Sequence, residues 1–347
     1  MDRRVIRLVA LAAMFVSATS VGAQVGGGSG SSGCELPAKV AAGTTESLTL
    51  TVGGLEREYR LHVPAGYDPA IPTPVVLNIH GYGGSGANIE RYTSLSSHAD
   101  ANGYVIVYPQ STSFTAQDGS AVRSWNDLAG STSSGPSGPI CTAEAFDYPT
   151  PTECGEAAGP CAWASCNDDI SFIAALLDEL EANYCVDTDR VFASGMSNGA
   201  MFVHQLACTM PERFAAVAPV AGTLARGYNC APSAATPVSL MNIYGVDDRY
   251  VDLENPISSD GYYYTSAADV LAEWAKPEAQ QCSEEASLYA TSRDGDLELT
   301  CSSRAACASG AEVVNCTFKG GHTWPGEGVA NDVIWEFFAK NGRSRRR

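Results

Sequence analysis

Three observations predict an α/β layer fold with a mostly parallel central sheet. Six short apolar runs rich in β-branched residues recur along the chain, segments with helical spacing lie between them, and a hairpin pattern precedes them. Runs of that length and composition suit strands buried on both faces, and strands alternating with helices favour parallel pairing through helical crossovers.

Taken in order, residues 1–23 combine Arg3, Arg4 and Arg7 with an apolar run from Leu8 to Val16 and the small residues Val21-Gly22-Ala23. This pattern predicts a secretory signal cleaved near Ala23, hence a secreted, extracellular protein; the apolar run is too short to span a bilayer. Residues 24–33 contain GGGSGSSG, which has no apolar area to bury and predicts a flexible leader. A single domain is expected over residues 34–341, followed by a basic tail, 342–347, that frays.

Within that domain, Leu48–Val52 and Tyr59–Val63 alternate with period two around Gly53-Gly54, the mark of an antiparallel hairpin in which His62 is structural. The buried strands are expected at Val75–Ile79, Tyr104–Tyr108, Val191–Ala193, Ala215–Val220, Val238–Tyr244 and Val313–Phe318. Helical spacing marks Ile89–Ala101, Ile170–Asn183, Met201–Cys208, Ala267–Trp274 and Val333–Ala339. Residues 126–166 break the rhythm with Gly, Ser, Pro and four cysteines, which predicts a long insertion pinned by disulfides.

Composition narrows the function. The 347 residues carry 39 acidic against 21 basic side chains, a formal net charge of −18, which repels nucleic acid and anionic membranes. The 12 cysteines, an even number in an exported chain, predict up to six disulfides. A zinc site at Cys154, Cys161 and Cys166 is the rival reading, weakened by the absence of a nearby histidine, and a lipidated Cys34 would leave an odd thiol.

The chemistry concentrates in four segments. Strand Val191–Ala193 runs into Gly195-Met196-Ser197-Asn198-Gly199 and then a helix, the strand-turn-helix setting of a G-x-S-x-G nucleophile elbow. His80-Gly81-Tyr82-Gly83-Gly84 follows a buried strand, so the backbone amides of Tyr82 and Asn198 are the candidate oxyanion donors. Asp247-Asp248 follows a later strand and His322, in Gly320-Gly321-His322-Thr323-Trp324, the last one, giving the chain order serine, acid, histidine. Adjacent side chains on extended backbone point apart, so one carboxylate faces the histidine; Asp248 is favoured, with Asp247 left to solvent or Arg249. Ser197, Asp248 and His322 are thus the expected nucleophile, orienting acid and general base.

The segments HGYGGSG, CNDDISFIAALLDELEANYCVDTDRVFASGMSNGAMF, YGVDDRYV and GGHTWPG resemble the α/β-hydrolase family of feruloyl esterases and extracellular polyhydroxybutyrate depolymerases. The resemblance spans the chain from about Cys34 to the last helix. It implies the α/β-hydrolase fold, the same triad and oxyanion donors, and no metal or organic cofactor. Tyr244 stands where that family often has His and Ala200 where it often has Gly, the first altering the surroundings of the acid.

Trp125 and Trp324 are the expected substrate-binding walls, whereas Tyr262-Tyr263-Tyr264 is read as surface packing. The reading is a monomeric, secreted serine carboxylic-ester hydrolase acting on plant cell-wall feruloyl or related carbohydrate esters. A depolymerase or oligomer hydrolase for polyhydroxybutyrate, a peptidase and a non-catalytic binding protein on the same fold are the alternatives.

Overall fold

The computed structural model describes residues 30–116, 119–151, 154, 159–255, 257–276, 279–283, 286–294, 297–304 and 307–343. The predicted signal, most of the leader and tail residues 344–347 lie outside the described residues.

In chain order the strands are β1 (Thr44–Val52), β2 (Leu55–Val63), β3 (Thr73–Ile79), β4 (Val105–Pro109), β5 (Ser113–Thr115), β6 (Ala121–Arg123), β7 (Ser134–Gly135) and β8 (Gly138–Pro139). They continue with β9 (Val186–Met196), β10 (Ala216–Val220), β11 (Ser239–Gly245), β12 (Ala286–Asp294), β13 (Leu297–Arg304) and β14 (Val313–Phe318). The helices are α1 (Gly86–Thr93), α2 (Leu95–Asn102), α3 (Asp169–Asn183), α4 (Asn198–Thr209), α5 (Ala267–Ala275) and α6 (Asn331–Lys340), the last preceded by a π-helical turn over Gly326–Ala330.

Ten strands form one sheet in the order β1-β2-β4-β3-β9-β10-β11-β14-β13-β12. Its six central members, β4 to β14, are parallel, and antiparallel pairs extend it at both edges. The parallel strands read as continuous apolar runs because both faces are covered. Val75, Leu77 and Ile79 of β3 point into a core with α3, α4 and α5, while Val76 enters a second core with α1, α2 and α6. In α3 the residues Phe172, Ile173, Leu176, Leu177 and Leu180 are all buried, each such burial contributing about 1.5–3 kcal/mol.

All twelve cysteines are paired, as Cys34–Cys185, Cys141–Cys161, Cys154–Cys166, Cys208–Cys230, Cys282–Cys307 and Cys301–Cys316. Two bridges lie inside the 126–166 insertion, and the cysteines proposed as a zinc site are consumed by them. The insertion roots in the core through Asp169, whose carboxylate accepts from the Asn126 amide at 2.7 Å and pairs with the buried Arg57 guanidinium at 2.5 Å.

Some expectations change. The helix expected over Ile89–Ala101 is two helices, because Ser94 adopts a left-handed backbone (φ 53°) and caps α1 through its N–H to Glu90. Of the expected leader, residues 30–33 pack on the domain, the Ser31 amide donating to Val186 O and the Gly33 amide to Glu181 O. In the tail, the Arg343 guanidinium is anchored on the carbonyls of Pro211, Glu212 and Phe214. The β12–β13 hairpin was not expected: its polar alternation suits an edge instead of a buried run. Among the described residues no helix is long and apolar enough to cross a membrane.

Candidate active site

The parallel strands deliver the site residues to one edge of the sheet, since Ser197, Asp248 and His322 follow the carboxyl ends of β9, β11 and β14. Ser197 sits at φ 57° and ψ −125°, a strained conformation that costs about 1–3 kcal/mol and must be held by its surroundings. Its N–H donates to Val220 at 3.0 Å, and its carbonyl accepts from the first turn of α4 at Met201, also at 3.0 Å. The two motif glycines are demanded by contact: a Cβ on Gly199 would lie 2.3 Å from the Ile79 carbonyl oxygen, and one on Gly195 would lie 2.8 Å from that of Gly199.

The glycine loop after β3 lies against this elbow, with the Cβ position of Gly81 3.1 Å from that of Ser197. His80 braces the loop. Its Nε2 accepts from the Ser111 amide at 3.2 Å, which leaves Nδ1 to donate to Gly81 O at 2.8 Å. Complete burial lowers its pKa to about 4, so the ring is neutral. Asn198 is gripped as firmly: Oδ1 accepts from Trp125 N at 2.7 Å, and Nδ2 donates to Trp125 O at 3.1 Å and to Asp127. Asp127 in turn accepts from the amides of Ala129 and Gly130 at 2.7 Å each, and burial raises its pKa to about 7.

Of the two adjacent carboxylates, Asp248 faces the histidine. Its Oδ2 lies 2.7 Å from His322 Nδ1, while Oδ1 accepts from the amides of Tyr250 at 3.0 Å and Val251 at 3.1 Å. Its side chain is 1% exposed, against 20% for that of His322. Asp247 is half exposed and pairs with Lys319 at 2.5 Å, so its partner is Lys319 and not Arg249. The loops after β11 and β14 are held together by Val246 N to Phe318 O at 3.0 Å and Asp247 N to Gly320 O at 2.9 Å.

Ser197 and His322 both line two cavities. One, of about 240 Å³, is walled by Tyr82, Tyr148, Trp163, Met201, Tyr250, Val251, Asp260 and Tyr264. The other, of about 250 Å³, is walled by His80, Gly81, Tyr82, Gly84, Ser85, Asn88, Ile89, Tyr92 and Met196. A candidate nucleophile and a candidate base shared by two cavities suit a reaction that splits a substrate into two parts, one held on each side.

Both tryptophans expected in the substrate wall are corrected. Trp125 is fully buried, its ring stacked 5.1 Å from Phe202 and its Nε1 donating to His80 O at 2.9 Å, so it supports the loops from beneath. Trp324 is 4% exposed and turns into the second core, where its Nε1 donates to Asn331 at 3.1 Å. The tyrosine triplet is not surface packing throughout: Tyr262 and Tyr264 are buried, Tyr264 walls the first cavity, and Tyr263 stacks under Arg226. Tyr148 and Trp163 were missed because they lie in the irregular insertion, where the aromatics among its cysteines are the only sequence signal.

No family model matches the chain. It is 31% identical to "Putative esterase NocK" of Nocardia uniformis subsp. tsuyamanensis over 311 residues, 83% of this chain and 76% of that protein. It is 24% identical to feruloyl esterase C of Emericella nidulans over 81% of this chain and 83% of that protein. Among solved structures, acetyl xylan esterase from Aspergillus awamori superposes with a TM-score of 0.53 at 18% identity, covering 84% of this chain and 98% of that one, which establishes a shared fold.

Proposed function

Because the chain belongs to the α/β-hydrolase family of esterases that includes the feruloyl esterases, we propose that it is a secreted serine esterase releasing hydroxycinnamic acids from carbohydrate esters. One observation carries the mechanism: the Asp248–His322 hydrogen bond of 2.7 Å, beside a serine on a strained elbow that opens to both cavities.

His322 Nε2 takes the proton of Ser197 as Oγ adds to the ester carbonyl, and Asp248 stabilises the imidazolium that forms. The oxyanion of the tetrahedral intermediate accepts from the backbone N–H groups of Tyr82 and Asn198. The C–O bond to the alcohol breaks, His322 returns its proton to the leaving alkoxide, and the acyl group stays on Ser197. Water, deprotonated by His322, then attacks the acyl-enzyme, releasing the carboxylic acid and restoring the serine.

The aromatic cavity supports a hydroxycinnamoyl acyl group, and the second cavity, with Ser85, Asn88 and Tyr92, supports the alcohol. Export is supported by the six disulfides. The test is acid release from methyl ferulate and from a 3-hydroxybutyrate oligomer, with Ser197→Ala as control. Preference for ferulate supports the proposal; preference for the oligomer replaces it with polyester hydrolysis, and full activity in Ser197→Ala removes the mechanism.

A further inference from the structure

Among the described residues lining the aromatic cavity beside Ser197, one carries a formal charge that the proposed mechanism does not use. Asp260 lines it together with Tyr82, Tyr148, Trp163 and Tyr264. Its Oδ2 accepts from the Tyr148 hydroxyl at 2.8 Å and its Oδ1 from Ser258 Oγ. Both partners are neutral, and among the described residues no Lys, Arg or His pairs with this carboxylate. Each carboxylate oxygen accepts more than one hydrogen bond, so Asp260 retains acceptor capacity toward a ligand.

We propose that Asp260 is a specificity-determining residue, accepting a hydrogen bond from a hydroxyl at the distal end of the acyl group, as on a phenolic ring. This inference rests on the hydroxycinnamoyl reading and narrows it. A hydrogen bond to an ionised acceptor is stronger than a neutral one, and a carboxylate left facing an ether in an aromatic wall loses water without gaining a donor. Methylating the distal hydroxyl is therefore selected against.

The experiment compares kcat/KM for methyl ferulate and methyl 3,4-dimethoxycinnamate, which differ by one methyl group on the distal oxygen. Wild type is expected to prefer ferulate by about tenfold to a hundredfold, and Asp260→Asn to bring the ratio close to one. Tyr148→Phe, which removes the neighbouring donor and leaves the carboxylate, is expected to keep or raise the ratio. A wild-type ratio near one overturns the inference while leaving ester hydrolysis of cinnamates intact. So does an unchanged ratio in Asp260→Asn, or a collapse in Tyr148→Phe equal to that in Asp260→Asn. If wild type cleaves p-nitrophenyl acetate but neither cinnamate, the proposed function fails together with this assignment. Because the wild-type ratio and Tyr148→Phe each bear on the proposal, it stays falsifiable even if Asp260→Asn does not fold.

Discussion

Replacing Asp248 by Asn removes one charge and little volume, and the structure sets the size of the effect. The carboxylate lies 2.7 Å from His322 Nδ1. With charge centres about 4 Å apart and an effective dielectric of about 20, its attraction for the imidazolium of the transition state is about 4 kcal/mol, or roughly a thousandfold in rate. A tautomer effect adds to this. The amides of Tyr250 and Val251 occupy Oδ1, so an asparagine would satisfy them with its oxygen and turn Nδ2 toward the histidine. His322 would then accept at Nδ1 and carry its proton on Nε2, where it cannot act as a base; the total expected loss in kcat is about 10⁴-fold. Asp247→Asn, which breaks only an exposed pair with Lys319, should change kcat by less than about twofold. The assay is steady-state hydrolysis of p-nitrophenyl acetate by both variants, with thermal melts to confirm folding. A folded Asp248→Asn within tenfold of wild type, or an equal loss in Asp247→Asn, would refute the assignment.

Other perturbations probe the scaffold. Trp125→Ala removes a fully buried ring between Phe172 and Phe202 and should cost about 3–5 kcal/mol, read as a fall in the denaturant midpoint; a change within 1 kcal/mol would contradict the buried placement. Changing both Cys34 and Cys185 to Ser opens a bridge of sequence separation 151, which the chain-entropy model values at about 5 kcal/mol; an unaltered melting temperature would show that the pairing is not made. The folded pKa of Asp127, about 7, lies above its ordinary 3.8, so folding favours the protonated form. Its contribution is complete below about pH 4 and disappears as pH rises through about 7, on the order of 4 kcal/mol. His80 and His204, lowered to about 4 by burial, act in the opposite sense, contributing above their ordinary 6.5 and losing it as pH falls through about 4. The difference between the pH–stability curves of wild type and Asp127→Asn therefore isolates Asp127, and a difference that is flat from pH 4 to 8 would refute its raised pKa.

Most of the central sheet and the chain order of the proposed triad were legible because each is a local pattern. A strand buried on both faces must be apolar throughout, as Val75–Ile79 is, and a nucleophile elbow must place glycines where neighbouring backbone leaves no room for a Cβ, as at Gly195 and Gly199. The split of the helix at Ser94 depends on a single backbone rotation that leaves no trace in the spacing of apolar residues. The β12–β13 hairpin was hidden because an edge needs only partial burial and tolerates the polar alternation of Leu297–Arg304.

The substrate walls were misassigned for a related reason. Its place beside His322 put Trp324 forward, and Trp125 was put forward as an aromatic able to wall an acyl group, but a large ring beside a strand end can pack inward as readily as outward, and both pack inward. The sequence by itself determined the sheet's apolar strands, the strained serine turn and the succession of serine, acid and histidine, because short-range sterics and periodic burial dictate them. Only the tertiary structure decided between Asp247 and Asp248 and brought Tyr82, Tyr148, Trp163, Asp260 and Tyr264 around one cavity. Those residues come from separate loops whose meeting depends on strand order, disulfide pairing and the contacts of the whole fold.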